Sequence, residues 1–268
     1  MERGGIQDAM PYQHVLAAAD GGIVTITMNR PERRNALSEG HMTELIAAFR
    51  AAGDDPAVRA VILAANGPAF SAGHDFADMA GRDEAGMRRL LEVCTELMLT
   101  MQRLPQPVVA RVHAVATAAG CQMVASCDLA VAAEEATFAT PGGKGGWFCT
   151  TPMVAVERAV GRKRALEMLF TGDPIDARTA LAWGLVNRVV PRERLVEETA
   201  ALARAASRGS LASKALGKRA FYDTVDLGVE AAYACAVPVM ASSATTADGR
   251  EMMRSFLEKR PGVYPPRR

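Results

Sequence analysis

What this sequence most plainly lacks is an excess of either charge: 31 lysines and arginines face 30 acids over 268 residues, a net charge of +1. That balance argues against a nucleic-acid-binding surface driven by net charge. Long apolar runs are missing as well. Nothing approaches the roughly eighteen consecutive apolar residues that span a bilayer, so no membrane partner is expected. The five cysteines (94, 121, 127, 149 and 235) form no C-x-x-C pair and are odd in number, which reads as reduced, mostly buried thiols. None of the four histidines has metal-ligand spacing with another candidate, and no metal is expected. The start, Met1 to Asp8, has no signal-peptide core and carries acids unsuited to an organelle presequence, so a cytoplasmic protein is expected. There is no G-x-S-x-G elbow, which removes the usual serine-hydrolase signature. Gly142-Gly-Lys-Gly-Gly146 lacks phosphate-loop spacing and reads as a flexible pocket loop.

What is present is a chain 49% apolar, long enough for a sizeable core, with no Ser/Pro/Gly linker and no sharp repeat. After a lead-in over residues 1–12, two strands are expected near 13–19 and 23–28 around the turn signal Asp20-Gly21-Gly22. Ser38 is a plausible helix cap, and Met42, Leu45, Ile46 and Phe49 recur at helical spacing. Strands follow near 58–65, 107–115, 128–133 and 137–139, with helices near 90–101 and 120–127. The polar stretch 78–86 reads as a mobile loop. Thr151-Pro152 opens a helix through Val160. Beyond it the pattern is helical: 162–170, 176–182, 192–206, 210–222, 226–241 and 247–258, with a brief extended piece at 186–190. Periodicity alone gives an α/β chain with a helical tail.

Two stretches organise this pattern: Phe70-Ser-Ala-Gly-His-Asp75 and Ala116-Thr-Ala-Ala-Gly-Cys-Gln122. Each sets tiny residues directly after a buried-strand run, where a ligand can approach the backbone closely. The second opens a helix, whose first N–H groups are unpaired and favour negative charge. Together the two corners predict an oxyanion hole.

These stretches, with Asn29-Arg-Pro-Glu-Arg-Arg-Asn-Ala-Leu37, Cys127-Asp128 and Thr171-Gly-Asp173, resemble the crotonase, or enoyl-CoA hydratase/isomerase, superfamily from about Gly22 to Arg260. The wording Ala118-Ala-Gly-Cys-Gln-Met-Val-Ala-Ser-Cys-Asp128 and Phe138-Ala-Thr-Pro-Gly142 is similar to the branch named for enoyl-CoA hydratase domain-containing protein 3. The resemblance implies a spiral of ββα units over residues 13–200, holding the acyl-CoA site. It also implies a C-terminal helical region over 201–268 that builds a homo-trimer or hexamer and can act as a lid. The implied ligand is an acyl-CoA thioester, with coenzyme A part of the substrate and no separate cofactor. Its oxyanion donors fall on the backbone of Ala72 and Ala119, with Gly120 beside the second. The implied substrate-binding positions are Arg33, Arg34, Ala36, Gly73, Asp75 and Lys259.

The family's two catalytic glutamates match Gln122 and Gly142. An amide orients water but takes no proton at neutral pH, and glycine offers nothing. His74 is the candidate replacement, as a group that could titrate near neutrality. The vacated position at Gly142 suggests a roomy site, and restoring both glutamates is expected to raise hydration. Three readings stay open: a hydratase/isomerase-type lyase with an unusual base, a decarboxylase of malonyl-type thioesters needing only the oxyanion hole, and a non-catalytic acyl-CoA-binding protein.

Overall fold

The computed structural model describes residues 12–265. The lead-in read over 1–12 lies outside the described residues except for Tyr12. Strand β1 (Val15–Asp20) pairs antiparallel with β2 (Ile23–Met28) across Gly21 and Gly22, both at positive φ. Helix α1 (Glu39–Asp54) starts at Ser38, whose hydroxyl accepts the His41 N–H, and buries Met42, Leu45, Ile46 and Phe49 as their spacing predicts. Next come β3 (Ala60–Ala65), β4 (Ala69–Ser71), α2 (Phe76–Met79) and α3 (Glu84–Arg103). Then follow β5 (Val108–Val112), β6 (Val115–Thr117), α4 (Ala119–Ser126), β7 (Leu129–Ala133) and β8 (Thr137–Ala139). Helices α5 (Pro152–Val160) and α6 (Arg162–Thr171) lead to β9 (Ile175–Asp176), α7 (Ala177–Trp183) and β10 (Arg188–Val190). The chain closes on α8 (Leu195–Ala206), α9 (Leu211–Thr224), α10 (Val229–Ala244) and α11 (Ala247–Leu257).

The strands form a six-stranded sheet, β1-β2-β3-β5-β7-β10, and a four-stranded sheet, β4-β6-β8-β9. Successive turns of chain therefore give one strand to each sheet before a helix returns, which is the spiral of ββα units. The single strand expected over 107–115 is accordingly two: the chain leaves the large sheet after Val112 and joins the small one at Val115. From β2 onward the large sheet is parallel. Parallel sheets are covered on both faces, which explains why β3 reads Ala-Val-Ile-Leu-Ala-Ala without polar alternation. Val61 and Leu63 enter the main core with Phe49, Phe70 and Leu97. Ala60, Ile62 and Ala64 face the other way, onto Leu195 and Ala203 of α8.

Residues 78–86 are ordered rather than a mobile loop. Asp75 caps α2 through the Ala77 N–H, and Asp83 caps α3 through the Gly86 N–H. Between them Arg82 reaches Glu39 at 2.6 Å and Asp78 at 3.1 Å. Polar residues here are caps and ion pairs. The glycine-rich segment after Thr140 likewise folds back into a 3-10 turn, Pro141–Lys144.

The tail differs from the rest. Helix α9 buries Leu211 alone, α11 only Ser255, and α10 no residue at all. What ties α9 to the core is polar. Lys218 Nζ donates to the Met101 and Gln106 carbonyls, both at 2.9 Å, and to Asp128 Oδ2 at 2.6 Å; the Tyr222 hydroxyl donates to Asp128 Oδ1 at 2.8 Å.

Candidate active site

The two small-residue corners meet. A Cβ on Gly73 would lie 2.9 Å from the Ala118 Cβ and 3.4 Å from the Ala119 nitrogen; one on Gly120 would lie 2.5 Å from the Ser71 carbonyl oxygen. Only glycine allows this approach, and Gly73 also sits at φ 86°.

The first corner is zipped to the segment 34–37. Ala72 N–H donates to the Arg34 carbonyl at 3.0 Å, Leu37 N–H to the Gly73 carbonyl at 2.8 Å, and Asp75 N–H to the Leu37 carbonyl at 3.1 Å. Ala72 N–H is therefore spent, which corrects its assignment as an oxyanion donor. Successive N–H groups of a strand point to opposite sides, so with the Asp75 N–H turned to Leu37 the free one is that of His74. A trans peptide holds C=O and N–H antiparallel. With the Gly73 carbonyl pinned to Leu37, the His74 N–H is aimed away from that segment, and no acceptor among the described residues takes it.

The second corner supplies α4. Ala118 N–H donates to the Ala139 carbonyl at 2.9 Å, and Gln122 N–H to the Ala118 carbonyl at 3.0 Å. The N–H groups of Ala119 and Gly120, in the first turn, have no intrahelical acceptor. The strained backbone lies one residue earlier, at Ala118, with φ 51° and ψ −119°. A methyl-bearing residue there stores about 1–3 kcal/mol of strain.

The His74 ring sits 6.3 Å from that of Trp147, and its Nε2 is buried without a partner. Burial, with no carboxylate to oppose it, lowers its pKa to about 4. His74 is a neutral imidazole near pH 7, not a group titrating there. Gln122 is buried, and its Oε1 and the Thr140 hydroxyl also lack partners.

Gly142 is not roomy. A Cβ there would run into the Trp147 carbonyl oxygen and lie 2.8 Å from Cys149 Sγ. The loop closes onto itself, with Gly142 N–H donating to Cys149 Sγ at 3.4 Å. Burial pushes the Cys149 thiol up, so it is a poor nucleophile.

The other expected positions divide. Asp75 Oδ1 caps α2 and Oδ2 binds Arg30 at 3.2 Å, so this carboxylate holds its own loop. Ala36 is buried, its carbonyl taken by Arg30 at 2.9 Å and His41 Nδ1 at 3.2 Å, which leaves it no polar group for a ligand. Arg33 and Arg34 are exposed and their side chains have no partner among the described residues. Lys259 is exposed too, at φ 52°, just beyond the end of α11 rather than within it. Arg30, whose sequence signal is only that of a strand breaker beside Pro31, proves central to the first corner. A large cleft, about 1470 Å³, lies elsewhere, between α9 and the ends of α3, α4 and α5, and no residue of either corner lines it.

The sequence profile of the family described as enoyl-CoA hydratase/isomerase matches residues 18–266. The chain belongs to that family. It is 44% identical over 250 residues to enoyl-CoA hydratase domain-containing protein 3, mitochondrial, of Danio rerio, covering 93% of this chain and 86% of that one. The Homo sapiens protein of the same name is 42% identical over 246 residues, covering 91% and 80%. A crystal structure of that human protein superposes with a TM-score of 0.90 at 40% identity, covering 94% of this chain and all of the other. An enoyl-CoA hydratase structure from Mycobacterium smegmatis gives a TM-score of 0.90 at 46% identity, covering 93% and 98%. The fold is thus that of the crotonases. The mitochondrial names of these relatives overturn the expectation of a cytoplasmic protein.

Proposed function

We propose that this member of the enoyl-CoA hydratase/isomerase family binds an acyl-CoA thioester by its carbonyl oxygen and stabilises the enolate of that thioester, without the carboxylate pair that hydration uses. One observation carries the reading: the unpaired His74 N–H stands at a corner packed against the unpaired Ala119 N–H. A single oxyanion donor contributes about 3–4 kcal/mol to the charged state, and the α4 dipole adds to it. Proton transfer is what the site does not supply. Gln122 takes no proton, Gly142 has no room for a side chain, and His74, held neutral at a pKa of about 4, is a weak base at pH 7. Coenzyme A enters as part of the substrate, its phosphates meeting the unpartnered guanidinium groups of Arg33 and Arg34, with Lys259 a further exposed cation.

Loss of carbon dioxide from a malonyl-type thioester is the second reading, favoured because it forms the enolate with no general base. The helices of 201–268 serve as the assembly face, against further copies in a trimer or hexamer. Tyr233, Val237 and Met240 of α10 and Phe256 and Leu257 of α11 are all exposed, more apolar surface than a monomer leaves bare.

The test is steady-state hydration of crotonyl-CoA together with calorimetric affinity for butyryl-CoA on the same sample. Binding with hydration far below the usual enzyme range of about 1–1000 per second supports the proposal. Hydration within that range overturns the absence of a protein base, and no binding overturns the site.

A further inference from the structure

Arg30 is not among the expected site residues, yet it is the side chain that touches most of the first corner's supports. Its Nη1 donates to the Ala36 carbonyl at 2.9 Å and the Ser38 hydroxyl at 3.2 Å, and its Nη2 to Asp75 Oδ2 at 3.2 Å. The side chains of Arg30 and Asp75 are only 13% and 10% exposed, and Arg30 Nε is buried with no acceptor. Burying an incompletely satisfied guanidinium is unfavourable, and packing alone would be served as well by an apolar side chain. The contacts fall on two sides of one peptide. Ala36 and Ser38 flank Leu37, whose N–H pins the Gly73 carbonyl, and Asp75 follows His74 directly.

We propose that Arg30 is a positioning residue, which fixes the Gly73–His74 peptide from both sides and so aims the His74 N–H at the thioester oxygen. The guanidinium also cancels the Asp75 charge, which would otherwise face a developing oxyanion one residue away. Its planar fork spreads these donors over two nitrogens, so that one side chain reaches Ala36 and Ser38 through Nη1 and Asp75 through Nη2, a spread that the single nitrogen of a lysine lacks. This inference rests on the oxyanion reading above.

The experiment uses acetoacetyl-CoA as probe. Its acidic C2 proton passes to solvent without a protein base, and the enolate left behind absorbs in the near ultraviolet. Enolate fraction on the protein, butyryl-CoA affinity and melting temperature are compared for the wild type, Arg30→Lys and Arg30→Met. Deleting an oxyanion donor costs about 100- to 1000-fold, so misaiming one is expected to lower the enolate equilibrium about tenfold in Arg30→Met. Arg30→Lys, the gentler variant should methionine fail to fold, is expected to fall between the two. Butyryl-CoA affinity is expected to stay within twofold throughout. An unchanged enolate fraction overturns the proposal, and so does a parallel fall in both ligands that follows melting temperature. A wild type that binds butyryl-CoA but forms no enolate overturns the oxyanion reading itself, an outcome the variants do not mimic.

Discussion

Restoring the missing carboxylates separates the two vacated positions. Gln122→Glu is nearly isosteric and puts a carboxyl where Oε1 already sits buried without a partner. One positioned acid–base group contributes about 100- to 10,000-fold, so hydration of crotonyl-CoA is expected to rise at least about 100-fold. Burial raises the new carboxyl's pKa, which makes its charged form destabilising; the variant should lose stability from acidic to alkaline pH. Gly142→Glu behaves differently. Its Cβ falls on the Trp147 carbonyl and lies 2.8 Å from Cys149 Sγ, so residues 147–149 must move and the Gly142 N–H to Cys149 bond is lost. Overpacking of this kind costs about 1–3 kcal/mol. The double variant should therefore be less stable than Gln122→Glu and hydrate no faster. The assays are initial-rate hydration and urea denaturation of the three variants. A Gly142→Glu chain as stable as the wild type, or a double variant well above the single, would refute the crowding argument.

Three further outcomes follow from the same geometry. Ala118→Gly relieves the strained φ of 51° and should stabilise the chain by about 1 kcal/mol, read as a raised urea midpoint, since glycine's chain entropy offsets part of the strain. Lys218→Met strips the half-buried Asp128 carboxylate of its counter-charge while the Tyr222 hydroxyl and Val108 N–H still hydrogen-bond it, which costs up to about 3 kcal/mol. Limited proteolysis should then cut ahead of α9, near residues 207–210, sooner than in the wild type. His41 and His74 both have pKa values lowered to about 4 by burial. A folded pKa below the unfolded one means stability fully present above about pH 6.5 and lost as pH falls towards 4, at up to about 3 kcal/mol for each imidazole. Replacing His41 by Gln should flatten that profile in denaturation titrations.

The architecture was legible because its signals are local. The Ser38 cap with the Met42–Phe49 stripe, and the Thr151-Pro152 start, each predict a helix from neighbours in sequence, and both helices stand where expected. The proposed oxyanion donor, His74 rather than Ala72, depends on a pairing that sequence order hides. Ala72 is spent only because Arg34 lies opposite it, and His74 is free only because the Gly73 carbonyl and the Asp75 N–H both turn to Leu37. Arg30 was missed for the same reason, its carboxylate partner being 45 positions away. The crowding at Gly142 is not legible in sequence, because a missing side chain does not by itself leave a cavity: the backbone of Trp147 and the thiol of Cys149 fill the space.

The most direct measurement is the carbonyl resonance of an acyl-CoA carrying carbon-13 at C1, bound to the wild-type protein. Two N–H donors on the thioester oxygen draw electron density from the carbonyl carbon, and the account predicts a downfield displacement on binding. A bound thioester whose carbonyl resonates as it does free in water would contradict the account, because the ligand would then be held without its oxygen between His74 and Ala119.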